Sequence, residues 1–171
     1  QIILEYVTAK FVTMTPSSVW FTKKYPAEKW IDLINQFDPA YNIYLLGGKD
    51  NVEECNWIVD HAYNKNTEVL AGKLSFLQSA ALMKRANMNY VNDSAPLHFA
   101  SAVNAPVTAI FCSTIPAFGY TPLSDISFII ETSEKLPCRP CGLHGKKACP
   151  LTHFNCANTI ETKQILETLN L

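Results

Sequence analysis

The chain has 171 residues, enough for one well-cored domain. A formal net charge of −1 excludes a broad electrostatic field suited to nucleic acid or an anionic membrane surface. No apolar run approaches the roughly 18 residues of a spanning helix, no signal peptide is visible, and the first residue is Gln1 rather than Met, so a trimmed piece of a longer protein is expected.

Read in order, strand-like and helix-like segments alternate. Residues 10–16, "KFVTMTP", form a strand ending at Pro16. Residues 26–37, "PAEKWIDLINQF", form a helix with Trp30, Ile31, Ile34 and Phe37 on one side and Pro26 in its first turn. "YNIYLLGG" (41–48) is a strand closed by two glycines, and "NVEECNWIVDHAY" (51–63) is a helix. "TEVLAG" (67–72) is a short strand. "LSFLQSAALMKRA" (74–86) is a helix with basic residues in its last turn, where they suit the dipole. "MNYVND" (88–93) is a strand, "PLHFASAV" (96–103) a short helix and "APVTAIF" (105–111) a strand. "SDISFIIET" (124–132) is a further strand, and "NTIETKQILETL" (158–169) closes the chain as an amphipathic helix. Basic pairs such as Lys23–Lys24, Lys84–Arg85 and Lys146–Lys147 usually mark solvated surface.

This alternation with short connections predicts an α/β fold: a doubly wound, mostly parallel, Rossmann-like sheet covered on both faces. With no repeat, low-complexity segment or linker, residues 1–171 are expected to form a single domain. In such sheets ligands sit beyond the carboxyl ends of the strands. That rule selects residues 15–24, 47–51, 71–75 and 92–98, which are rich in Ser, Thr, Lys, Gly, Asp and His. Ser94 is expected to cap the helix that follows it. The remaining amides and the positive dipole end make an anion site, with His98 about one turn in and Lys23 supplying a compact charge. Neither Gly-x-Gly-x-x-Gly nor a P-loop sequence is present.

Four of the six cysteines crowd into "CRPCGLHGKKACPLTHFNC" (138–156). The Cys138-x2-Cys141 knuckle with Cys149 and Cys156 suits a structural zinc, with His144 and His153 as alternates. The same spacing also fits reduced thiols or disulfides. Cys55 and Cys112 lie in apolar patterns and read as buried small hydrophobes.

The stretch 92–123, "NDSAPLHFASAVNAPVTAIFCSTIPAFGYTPL", resembles the signature of glycosyltransferase family 9, the ADP-heptose:lipopolysaccharide heptosyltransferases. "WFTKKYP" (20–26), "LAGKLSFLQSAALMKRA" (70–86) and the cysteine pattern are similar to family segments in the same order. The resemblance implies the C-terminal, nucleotide-sugar-binding half of a GT-B enzyme. The acceptor-binding N-terminal domain, with the acidic residue assigned as general base, would be absent, so this piece alone would be inactive. It further implies an inverting transferase moving a heptose from an ADP-sugar to a lipopolysaccharide core acceptor. Such an enzyme would need no cofactor and would work in the cytoplasm at the inner face of a Gram-negative inner membrane, with peripheral membrane contact. Lys23 would contact the diphosphate, assisted by Ser17 or Ser18. Asp93, Ser94, Ala95 and His98 would hold diphosphate and sugar, with His98 against the leaving group. Leu74 would meet the nucleobase and Asp50 the ribose. Ala95 stands where the family has glycine, and Tyr25 where it has tryptophan. Two rival readings use the same residues: a non-catalytic nucleotide-binding module, and a zinc-stapled interaction domain.

Overall fold

The computed structural model describes residues 3–7 and 10–170. Six strands form one sheet: β1 (Phe11–Thr15), β2 (Asn42–Leu45), β3 (Thr67–Val69), β4 (Met88–Asn92), β5 (Val107–Phe111) and β6 (Ser127–Glu131). Their order is β3-β2-β1-β4-β5-β6, and every neighbouring pair is parallel. Chain progress therefore runs one way from β1 to β3 and the other way from β4 to β6. The reversal falls between β1 and β4, where Thr15 pairs with Val91. The doubly wound α/β expectation from the sequence stands.

The helices α1 (Ala27–Gln36), α2 (Val52–His61) and α6 (Thr162–Glu167) cover one face, and α3 (Phe76–Met83) and α4 (Ala95–Ala102) the other. α1 turns Trp30, Leu33 and Ile34 inward, an i, i+3, i+4 stripe that packs on Val12 and Met14 of β1. On the opposite face Leu82 and Met83 of α3 and Leu97 and Ala100 of α4 pack with Phe11 and Val91. Residues of β1, β4 and β5 are buried throughout, as strands covered on both faces require.

Local chemistry sets several boundaries. Ser75 begins α3 through a reciprocal capping box: its hydroxyl accepts from the Gln78 amide at 3.3 Å, and the Gln78 side chain accepts from the Ser75 amide at 2.8 Å. The terminal helix departs from expectation. Instead of one helix over 158–169 there are a single turn, α5 (Asn155–Asn158), then α6 and a closing 3-10 turn over Thr168–Asn170. The break has a physical cause. The backbone of Glu161 is extended, and its amide is taken by the Gln164 side chain at 2.8 Å, so α6 starts afresh there. Among the described residues no helix is long and apolar enough to cross a membrane.

All six cysteines are free thiols. Burial pushes Cys55 up to about 12 and Cys156 up to about 11, and raises Cys112 further. A thiol-specific chromophoric reagent at pH 8 should label the partly exposed Cys138 and Cys149 of the native protein first, with Cys141, whose thiol burial also pushes up, following more slowly. The remaining three should appear only in denaturant, and mass mapping of the labelled peptides checks the assignment.

Candidate functional site

At the β1/β4 reversal the loops after the two strands diverge and leave a crevice. A cavity of about 320 Å³ opens there, between α3 and α4 and against the ends of β1 and β2. Six of the sequence-predicted residues line it: Ser17 and Ser18 after β1, Asp50 after β2, Leu74 after β3, and Ser94 and Ala95 after β4. Four separate strand-to-helix connections thus meet in one place. Lys23, Asp93 and His98 do not line this cavity.

Lys23 and Asp93 instead meet each other. Lys23 lies in a 3-10 turn (Phe21–Lys23) of the β1–α1 connection, and its Nζ is 2.8 Å from Oδ2 of Asp93, the residue that follows β4. Thr114, from the loop after β5, donates its hydroxyl to the same oxygen at 2.6 Å. Asp93 is only 4% exposed, so its charge depends on these donors rather than on water. Lys23 spends one of its three N–H groups on Asp93.

The connection carrying Lys23 is fixed from several sides. Asn92, fully buried at the end of β4, accepts from the Tyr25 amide at 3.0 Å and donates to the Pro16 carbonyl at 2.7 Å. One side chain therefore pins both ends of the β1–α1 loop. The buried Thr22 hydroxyl accepts from Ser113 at 2.9 Å and from the Lys146 amide at 2.8 Å. Arg139 holds the loop after β5: its guanidinium donates to the carbonyls of Cys112 and Thr114, each at 2.7 Å, and to Glu131 at 2.6 Å. These supporting residues were missed in the sequence. An asparagine ending an apolar strand was the available signal for Asn92; Thr22, Thr114 and Arg139 carried none.

The start of α4 corrects one expectation. Ser94 occupies the N-cap position, but its hydroxyl accepts nothing from the first turn and instead donates weakly to the Asn92 carbonyl at 3.4 Å. The extended Ser94 backbone (φ −158°, ψ 176°) points the side chain back toward the strand. The first-turn amides are consequently not capped by Ser94. Ala95 begins the helix with no positive φ, so the absent glycine leaves no backbone strain, and the methyl faces the cavity. His98 is exposed one turn into α4.

The cysteine-rich loop does not assemble the predicted zinc site. Among the described residues no group of three or more His, Cys, Asp or Glu could hold a metal ion. Cys138, Cys141 and Cys149 line a separate cavity of about 370 Å³, and Cys156, the second residue of α5, is buried in the core cluster against which Cys149 also packs. His153 reaches Cys138 only at 3.9 Å, and its other ring nitrogen faces the Asn155 amide at 2.9 Å. What the loop does is buttress the site: the Thr22 amide donates to the Lys146 carbonyl at 3.1 Å, and the Cys141 amide to the Ser113 carbonyl at 2.9 Å. Gly145, at φ +79°, lies so close that a Cβ there would come within 3.0 Å of Lys23.

The sequence model of glycosyltransferase family 9 (heptosyltransferase) matches residues 4–150, and the chain belongs to that family. It is 29% identical over 138 residues to lipopolysaccharide heptosyltransferase 3 of Escherichia coli, an alignment covering 78% of this chain and 40% of the relative. In fold it is similar to E. coli ADP-heptose lps heptosyltransferase II, with a TM-score of 0.78 at 21% identity over 97% of this chain and 49% of that one. A glycosyltransferase family 9 structure from Veillonella parvula matches equally well, with a TM-score of 0.78 at 22% identity over 96% of this chain and 46% of that one. The chain spans less than half the length of these relatives.

Removing one partner of the Lys23–Asp93 pair leaves the other charge buried and uncompensated. Lys23→Ala is expected to destabilise by roughly 3 kcal/mol. The double variant Lys23→Ala/Asp93→Asn should recover part of that loss, and urea unfolding of both variants measures the difference. Asn92→Ala, which strands two buried backbone groups, should cost about 2 kcal/mol in the same assay.

Proposed function

We propose that this member of glycosyltransferase family 9 is the nucleotide-sugar-binding half of an inverting transferase. The donor is an ADP-linked heptose or a related sugar, and the acceptor a lipopolysaccharide core. The observation that carries this reading is the convergence of four strand-end loops on one crevice beside the Lys23–Asp93 pair. The crevice divides chemically. Its inner walls include Leu46, Leu74, Met83 and Phe99, suited to a flat base, while Ser17, Ser18, Ser94 and the amides that begin α4 suit phosphate oxygens. Asp50, exposed on the loop after β2, is suited to accept from ribose hydroxyls.

In the transfer, an acceptor hydroxyl attacks the anomeric carbon as the nucleoside diphosphate departs. Charge grows on the leaving oxygen, where Lys23 and the helix amides stabilise it more in the transition state than in the ground state. Asp93 orients Lys23 for this task, and Thr114 orients Asp93. His98, exposed on the first turns of α4, stands where it can reach the sugar or the leaving group. The general base belongs to an acceptor-binding domain that would complete the enzyme; residues 1–171 would then bind donor without turning it over. Because lipopolysaccharide precursors are membrane-held, the assembled enzyme would act in the cytoplasm at the inner membrane face.

Calorimetric titration with ADP and ADP-heptose tests the reading. Both should bind, and Lys23→Ala should weaken ADP by about 10-fold or more, the loss of a charge-assisted hydrogen bond. His98→Ala should weaken ADP-heptose more than ADP. Absence of binding by either nucleotide to the unaltered protein would overturn the proposal.

A further inference from the structure

One fully buried polar side chain in the crevice lacks a hydrogen-bond partner among the described residues. Thr15 ends β1 at the reversal point and is fully buried, yet its hydroxyl has no hydrogen-bond partner among the described residues. Two residues earlier on the same strand face, the Thr13 hydroxyl donates to Asn89 at 2.6 Å. The contrast is local: the protein satisfies Thr13 with its own side chain and leaves Thr15 open. Thr15 also lines the 320 Å³ cavity, on the wall formed by the sheet. Among the described residues Trp30 Nε1 and Ser124 Oγ are also buried without partners, and neither residue borders this cavity.

An unmade hydrogen bond on a buried hydroxyl costs roughly 1–3 kcal/mol, and valine would fill the same volume without that cost. We propose that the Thr15 hydroxyl is a recognition group for the nucleoside part of the donor, hydrogen-bonding a polar edge of the base or ribose at the sheet wall. The inference rests on the nucleotide-sugar reading above and adds to it a residue that reads the nucleoside. The neighbouring surface decides which part of the donor lies there. Leu46, Leu74 and Met83 surround the cavity, and Lys23 is not on its wall, so a diphosphate at Thr15 would find no cation. A base or ribose edge needs one donor or acceptor in apolar surroundings, and a hydroxyl offers both.

The test compares Thr15→Val and Thr15→Ser with the unaltered protein, using ADP and inorganic pyrophosphate as probes in calorimetry and thermal melting as the fold control. Thr15→Val should melt at the same temperature or higher. It should bind ADP roughly 5- to 10-fold more weakly, the loss of one neutral hydrogen bond. Thr15→Ser should retain most of the affinity, and pyrophosphate should bind both variants like the unaltered protein. Undiminished ADP binding by a folded Thr15→Val protein overturns the inference while leaving the donor reading intact. An equal loss for pyrophosphate overturns it too, by moving the contact to the diphosphate. If the unaltered protein fails to bind ADP, the donor reading falls first and this inference with it.

Discussion

The buried pairing of Lys23 with Asp93 is the constraint around which the crevice is organised. A carboxylate 4% exposed at the end of a central strand is stable only when cationic and hydrogen-bonding groups replace its water. Lys23 and Thr114 supply those groups from loops after β1 and β5, on either side of β4 in the sheet. The pair ties the ends of β1 and β4 together, and Thr114 adds the end of β5. The pair also fixes the Lys23 ammonium group at the carboxyl end of β4.

The surrounding architecture serves to keep that geometry rigid. Asn92 closes the β1–α1 loop with two hydrogen bonds from one amide, and Arg139 gathers carbonyls of the β5 loop under a single guanidinium. The cysteine-rich loop completes the support through Thr22 and Ser113. In this structure the loop contributes that support through its backbone, by the Lys146 and Cys141 amides. Cys156, the fourth thiol of the expected set, is committed to the core.

Family membership and geometry bear on different questions. Membership in glycosyltransferase family 9 rests on the match over residues 4–150, and the neighbours at 21–22% identity add the fold. Neither assigns a role to a particular side chain. The proposed roles rest on side-chain chemistry: apolar walls and hydroxyls in one crevice, a lysine paired with the aspartate that precedes α4, and an exposed histidine on that helix.

Sequence alone determined the fold class and the loops where a ligand belongs, because strand burial on both faces and helical amphipathicity are written in local periodicity. Strand-end position, a property of chain order, selected the loops that line the cavity, and the family resemblance named six of the residues in them. Only the tertiary structure decided that Lys23 faces Asp93, that Ser94 leaves its helix amides uncapped, that Cys156 turns inward, and that Thr15 keeps an unpaired hydroxyl. Those outcomes depend on contacts between residues 20 to 70 or more positions apart, or on one backbone angle at a helix start. Local pattern carries no record of which distant group will be within 3 Å.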